Sequence, residues 1–178
     1  MKLCAAVVCL LVFCAVTASG QQVADPSFDV KVAQPANKPA KVLLDEAHYN
    51  FHTAAGRYQP FAAHAITRGR NAGERINRVQ SFTGQSLKGP SDSVAFLKLA
   101  DTAVDLDPAT NKQTSAAGRA QGIALQFGKG RVVVMGEAAM LSAQLAGPQQ
   151  MKMGMNQPGL GNKQLVLNLM HWLTGILN

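Results

Sequence analysis

The sequence predicts a small domain of the α/β class, and three observations point to it. A short apolar run at residues 42–44 stops at two acidic residues, as a buried central strand often does. Apolar runs at residues 123–127 and 131–135 flank a glycine-containing turn at 128–130, which is typical of a β-hairpin. Residues 162–177 carry leucines at helical spacing and predict a closing amphipathic helix.

The beginning of the chain predicts export. Lys2 precedes an apolar run that ends in small residues at positions 18–20, the pattern of a cleavable secretory signal. The run is shorter than the ~20 residues that cross a bilayer, so we expect cleavage rather than anchoring. Lipid attachment at Cys9 or Cys14 is a minor alternative, because neither follows the small residues of a lipoprotein signal. We therefore expect a periplasmic or secreted protein with no transmembrane segment after cleavage.

The positions of the cysteines and prolines indicate how the rest of the chain is divided. All 3 cysteines belong to the predicted signal, so the exported chain has no disulfide, thiolate nucleophile or cysteine metal ligand. Prolines among small and polar residues predict a flexible, extended linker at residues 21–40. Residues 41–178 then form a single α/β domain, with residues 1–20 as the signal peptide.

The domain contains further predicted elements between the first strand and the hairpin, and between the hairpin and the closing helix. Glycines and prolines separate these elements and end the second helix at residues 147–148. In chain order they are a weak helix at 56–65, a polar loop at 66–73, strands at 78–82 and 94–99, an excursion or hairpin tip at 101–118, a helix at 136–144 and an irregular loop at 151–161.

The formal net charge of +7 raises the question of an anionic partner. Much of the excess lies in Arg68, Arg70, Arg75, Arg78 and Lys88. We interpret these residues as a solvated basic face rather than a nucleic-acid surface, because few aromatic residues are interleaved to stack on bases. We expect a small-molecule or envelope ligand and no nucleic acid, and the sequence leaves the oligomeric state open.

Four runs together carry a family resemblance, at residues 41–52, 66–71, 127–137 and 168–173. Through these runs the chain resembles exported bacterial proteins of the DUF4350 type. Those proteins are similar in fold to class I glutamine amidotransferases. The resemblance covers most of residues 41–178. It implies a flavodoxin-like, three-layer sheet with helices on both faces, followed by a C-terminal β-hairpin and the closing helix.

The chain departs from that family in its middle section. The helix near residues 61–63 continues directly into His64, where the family has further parallel strands and an Asp-His pair. The resemblance therefore implies an incomplete sheet. An amidotransferase also needs a cysteine nucleophile, which the exported chain lacks, so that activity is excluded.

Five polar residues crowd the end of the first predicted strand: Asp45, Glu46, His48, Asn50 and His52. In open α/β sheets, ligands bind beyond the carboxyl ends of the strands, so this is where a site is expected. Carboxylate, imidazole and amide groups can bind a ligand or transfer protons. The alternative is that these residues cap and hydrogen-bond the local turn.

Two further candidates lie later in the chain. Glu137 follows the second hairpin strand and either joins Asp45 in one site or caps a helix N-terminus. Arg68, Arg70 and Asn71 lie around a glycine, where two guanidinium groups could bind an anion, or they form a solvated loop.

Other chemistries have little support. His48 and His52 have the spacing of zinc ligands on a helix, but the glutamate that a zinc protease places beside the first histidine is absent, and we predict no metal site. Phosphate-binding, dinucleotide-binding and serine-hydrolase motifs are also missing from the exported chain, so we predict no cofactor.

The sequence thus predicts an exported binding module, without a defined enzymatic activity, whose ligand site follows the first strand. One alternative is a hydrolase of an envelope sugar, peptide or ester that uses Asp45, His48 and Glu137. Another is an inactive, shortened relative with an exposed apolar sheet edge or face.

Overall fold

The computed structural model describes residues 22–29, 61–82 and 84–178. The predicted signal at 1–20, the linker from residue 30 onward, the strand at 42–44 and the start of the first helix lie outside the described residues. The elements are β1 (Val23–Ala24), α1 (Ala65–Arg68), β2 (Val94–Lys98), β3 (Val104–Asp107), β4 (Lys112–Ser115), β5 (Ala120–Phe127), β6 (Gly130–Met135), β7 (Ala143–Ala146), β8 (Met151–Gly154) and α2 (Asn162–Leu173). Short 3₁₀ turns lie at Ala72–Glu74 and Ala139–Leu141.

The described strands form three sheets, ordered β1-β7-β8, β2-β5-β6 and β3-β4. Each pairing among the described residues is antiparallel. The described part of the chain is therefore a mixed structure of helices and sheets in which strands predominate. The flavodoxin-like parallel sheet implied by the resemblance stays a prediction.

The predicted C-terminal hairpin is confirmed by β5 and β6. Residues from Gly122 to Phe127 pair in continuous register with residues from Met135 to Gly130. Gly128 and Lys129 form the two-residue connection, and Gly128 has a φ of +57°. A positive φ at the first central residue alone is typical of a type II′ turn, whose twist matches that of the strands.

The main core lies between the β2-β5-β6 sheet and the two helices. Its completely buried side chains include Ile66, Phe96, Leu97, Met140 and Leu165. One face of α2 supplies Leu165, Leu169 and Trp172 to this cluster, which confirms the predicted amphipathic closing helix. The sheet is thus covered on one face by helices, as an apolar sheet surface requires.

The excursion predicted at 101–118 is a second hairpin, formed by β3 and β4. It has a small core of its own, in which Leu99, Ala103 and Ala116 are buried. Asn111 adopts a φ of 55° between the strands, and asparagine is one of the few residues besides glycine that tolerates this conformation.

One sequence prediction is wrong in the sheet that contains β7. The segment predicted as an extended linker includes β1, which pairs with β7 through Val23 and Ala24. The helix predicted at 136–144 is instead a 3₁₀ turn followed by β7. Because β7 pairs with β1 on one side and β8 on the other, tertiary hydrogen bonding overrides the helical propensity of its alanines.

Two predicted loops are also partly regular. The polar loop predicted at 66–73 begins inside α1, where Ile66 is completely buried, and the irregular loop predicted at 151–161 begins with β8. The strand predicted at 78–82 belongs to none of the three sheets. Its backbone is bonded by the side chains of Asn162 and Glu137 and by the backbone N–H of Gly161 instead.

Candidate functional site

The predicted ligand residues fall into two groups in the structure. Asp45, Glu46, His48, Asn50 and His52 lie outside the described residues. The other four, namely Glu137, Arg68, Arg70 and Asn71, are described, and each makes a defined interaction.

Glu137 is buried at the end of β6, with only 6% of its surface exposed. Both of its carboxylate oxygens accept from the backbone N–H of Phe82, each at 3.1 Å. Gly84 lies directly against it, because a Cβ on Gly84 would be 2.8 Å from the Glu137 Cβ. Glu137 therefore anchors the segment ending at Phe82 to the sheet, and the prediction that it caps a helix is wrong because a 3₁₀ turn follows.

Arg70 is paired with Glu74 rather than presented as an isolated cation. Its backbone N–H donates to Oε2 at 2.9 Å and its Nε to Oε1 at 2.8 Å, while Nη2 also contacts Oε1. These hydrogen bonds raise the pKa of Arg70 and lower the pKa of Glu74. Gly69, with a φ of +67°, permits this close return, since a Cβ there would lie 2.4 Å from the Glu74 Cβ.

The other two predicted anion ligands also have local partners. Asn71 accepts the backbone N–H of Gly73 at 2.9 Å through Oδ1 and so caps the 3₁₀ turn. Arg68 donates from Nη2 to the carbonyl oxygen of Asn178 at 3.3 Å. The loop thus places all three predicted ligands close in sequence, but their side chains serve three separate interactions.

A histidine and an arginine contact the ring of Trp172 nearby. His64 Nδ1 accepts the backbone N–H of Ile66 at 3.2 Å, and its ring centroid lies 5.2 Å from that of Trp172. Arg131 lies over the same indole at 5.1 Å and donates to the carbonyl of Trp172 at 2.7 Å. Burial, with help from Arg68 and Arg131, lowers the pKa of His64, so the neutral imidazole is favoured.

Sequence reasoning missed three buried asparagines, Asn156, Asn162 and Asn168. Asn168 donates from Nδ2 to the carbonyls of Ile66 at 2.8 Å and Glu74 at 2.9 Å, which joins α2 to the segment that wraps around it. The available signal was the position of asparagine on the leucine-rich face of a helix, where its short polar side chain is otherwise unfavourable.

The N-terminal segment is held by Asn156. Its Nδ2 donates to the carboxylate of Asp25 at 2.7 Å and to the carbonyl of Gln144 at 3.0 Å. Its Oδ1 accepts the backbone N–H of Met153 at 2.9 Å. This one side chain therefore joins the residue that follows β1 to β7 and β8.

Two further polar features remain. A groove of about 470 Å³ is lined by Arg78, Val79, Gln80, Ser81, Gln157, Pro158 and Leu160.

Near β3, Ser86 donates to Asp105, and Arg119 donates from Nη2 to the Ser86 carbonyl at 2.9 Å. Among the described residues, that serine contacts a carboxylate and no imidazole.

Within residues 22–29, 61–82 and 84–178, no three histidine, cysteine or acidic residues are grouped so that they could hold a metal ion. The same part of the chain has no helix with the length and apolarity of a membrane span.

The chain matches no protein-family model, no curated protein and no solved structure.

Proposed function

We propose that this chain is an exported binding module of the bacterial cell envelope. Its ligand site comprises the polar residues at 45–52 that follow the predicted first strand, with Asp45 and His48 as the principal ligands. The ligand is a small molecule or an envelope fragment that carries hydrogen-bonding groups, because the site offers carboxylate, imidazole and amide partners.

The observation that carries a binding role is the arrangement of Glu137. A hydrolase built from Asp45, His48 and Glu137 needs a Glu137 oxygen that faces the substrate. Glu137 is instead buried and uses both oxygens to hold the backbone of Phe82. Its position favours structural support over acid–base chemistry.

The proposal retains the family resemblance, in which residues 42–44 add a parallel strand to the β2-β5-β6 sheet. Space for another strand is consistent with the order of this sheet, since β2 and β6 are its outer strands among the described residues. Val94 on β2 and Val134 on β6 are 41% and 40% exposed, so each outer strand has an apolar side chain to cover.

An inactive, shortened relative is the second candidate, and one observation favours it. Phe127, at the tip of the β5–β6 hairpin, is 75% exposed, and Val134 lies further along the same hairpin. Exposed apolar residues on strands are the feature expected if the missing middle section once covered them.

Titration of the purified full-length secreted protein tests the proposal. Calorimetry against peptidoglycan peptides and envelope oligosaccharides should detect saturable binding that is lost in Asp45→Asn and His48→Ala. Asp92→Asn, on the exposed surface, is the matched control and should bind as the parent does. Turnover of model esters or glycosides lost in both site variants would instead establish the hydrolase, and neither binding nor turnover would favour the inactive relative.

A further inference from the structure

The segment at residues 78–82 has one bonded edge. The carbonyl of Arg78 accepts the backbone N–H of Gly161 at 2.8 Å. Asn162 receives the N–H of Gln80 at 3.0 Å and donates to its carbonyl at 2.8 Å. The N–H of Phe82 is held by the buried carboxylate described above. Every second residue therefore directs its backbone groups toward the body of the protein.

This alternation is the geometry of an extended strand. In a strand, the N–H and carbonyl of one residue point to the same side, and those of its neighbours point to the opposite side. The side chains alternate as well, because Val79 is buried in the core while Arg78 and Gln80 are exposed. The segment thus alternates as a strand does, although it belongs to none of the three sheets, and its inner partners are an asparagine, a glycine amide and a glutamate.

The outer edge of the segment consists of the backbone groups of Val79 and Ser81. Among the residues that the structure describes, neither residue has a hydrogen-bond partner for its N–H or carbonyl. Ser81 is also partly exposed. An extended backbone with one bonded and one open edge can accept a further strand by backbone pairing.

The surroundings of the segment are positively charged. Residues 78–81 also line the groove of about 470 Å³, whose other wall is the turn near Gln157 that leads to Gly161 and Asn162, the partners of the bonded edge. Arg75 and Arg78 are exposed, and the sequence has no carboxylate at residues 75–82, 84–91 or 157–164. The one acidic neighbour in the preceding loop, Glu74, is already paired with Arg70. A negatively charged partner is therefore favoured.

We propose that the open edge of residues 78–82 is a docking site for an extended, acidic peptide. The peptide adds as a strand, pairs with the N–H and carbonyl groups of Val79 and Ser81, and places acidic side chains near Arg75 and Arg78. The docking site uses none of the residues at 45–52. Its binding is consequently unaffected by Asp45→Asn and His48→Ala, so it stands or falls separately from the envelope-ligand site.

A proline substitution isolates the backbone contact. Ser81→Pro removes the open-edge N–H without removing a hydrogen bond to any residue that the structure describes, and an extended backbone accepts proline. A fluorescein-labelled peptide that alternates glutamate with valine and threonine serves as the probe in fluorescence anisotropy. We expect Ser81→Pro to bind about tenfold more weakly, since one hydrogen bond is worth roughly that factor. Ser81→Ala keeps the N–H and should bind as the parent does.

A second measurement uses the parent protein, so it is independent of how any variant folds. Two probe peptides carry backbone N-methyl groups on alternate residues, in the two possible phases. Strand pairing requires that one phase abolishes binding and the other preserves it. Arg78→Gln should weaken binding of the unmodified probe and reduce its dependence on salt. Equal binding of both phases, or salt-dependent binding that Ser81→Pro leaves unchanged, would show a general polyanion surface and overturn the proposal.

Discussion

The β5–β6 hairpin and the segment at residues 61–82 are held in opposite ways. The hairpin pairs residues that are close in sequence through a regular backbone ladder. The segment is held by single side chains that reach its backbone from far along the chain, such as Asn168, which contacts the carbonyl of Ile66 across 102 residues. We therefore expect stability to be distributed over many equivalent bonds in the hairpin and to depend more on a few side-chain bonds in the segment.

Asn168→Ala is expected to give the largest loss of stability. It removes the Nδ2 donor from the buried carbonyl of Ile66 and the partly buried carbonyl of Glu74, and each buried group left without a partner costs about 1–3 kcal/mol. We expect the free energy of unfolding to fall by about 3 kcal/mol, measured by urea denaturation.

Gln164→Ala is the matched control for that variant. Its side chain donates to Asn168 Oδ1 at 2.9 Å, so its removal leaves the two carbonyl contacts in place. We expect a loss of under about 1 kcal/mol. Similar losses for the two substitutions would mean that these few side-chain bonds are no more important than the rest of the helix surface.

Glu137→Ala tests the other end of the segment. Phe82 loses the acceptor of its backbone N–H, and we expect a destabilisation of about 2 kcal/mol. Glu137→Gln keeps one acceptor oxygen and should cost less than Glu137→Ala. Hydrogen exchange should show faster exchange at Phe82 in the alanine variant, whereas an unchanged rate there would contradict the anchoring role.

Gly128→Ala tests the hairpin, again through its effect on the free energy of unfolding. Gly128 has a φ of +57° and a Cβ would meet no atom within 4 Å, so conformational strain of about 1 kcal/mol is the expected cost. Gly130 lacks a positive φ, and a Cβ there would lie 3.4 Å from the carbonyl oxygen of Phe127, an ordinary contact. Thermal denaturation should therefore show a smaller loss for Gly130→Ala, and an equal loss would rule out turn strain as the cause.

These two regions also show what the sequence could predict. The hairpin and α2 were predictable because a glycine turn and a leucine stripe are local signals. Residues 78–82 carry strand-like residues, and the structure does extend them, but the partner that completes the strand is Asn162, 82 residues away. No local pattern encodes that contact.

The same reasoning applies to the candidate site. Arg70 was predicted from its spacing to Arg68, yet the neighbour that determines its chemistry is Glu74, which returns to it through the left-handed Gly69. Glu137 was predicted as a strand-end carboxylate, and that placement is confirmed. Its partner is the backbone N–H of Phe82, a group that every residue except proline carries, and composition therefore could not identify it.

The smallest expected effect is a pH dependence that belongs to the segment and to α2, on which His171 lies, rather than to the hairpin. Burial lowers the pKa of His64 and His171 from the ordinary value of 6.5, so the unfolded chain binds protons more tightly than the folded one. Stability should accordingly be complete above pH 6.5 and decline as the pH falls below it. Hydrogen bonding from Arg70 lowers the pKa of Glu74, so its carboxylate contribution is lost only below the ordinary value of 4.5.

Urea denaturation between pH 7 and pH 5 separates the histidine contribution from that of the carboxylates. His64→Asn removes the titrating ring and keeps a side-chain oxygen that can accept the Ile66 N–H, so the helix cap is preserved. Combined with His171→Gln, it should flatten the pH dependence over this range. The charged groups near His64 are Arg68 and Arg131, and the rings beside it are those of Phe96 and Trp172. A slope that persists in the double variant would place the titrating groups outside the segment and α2.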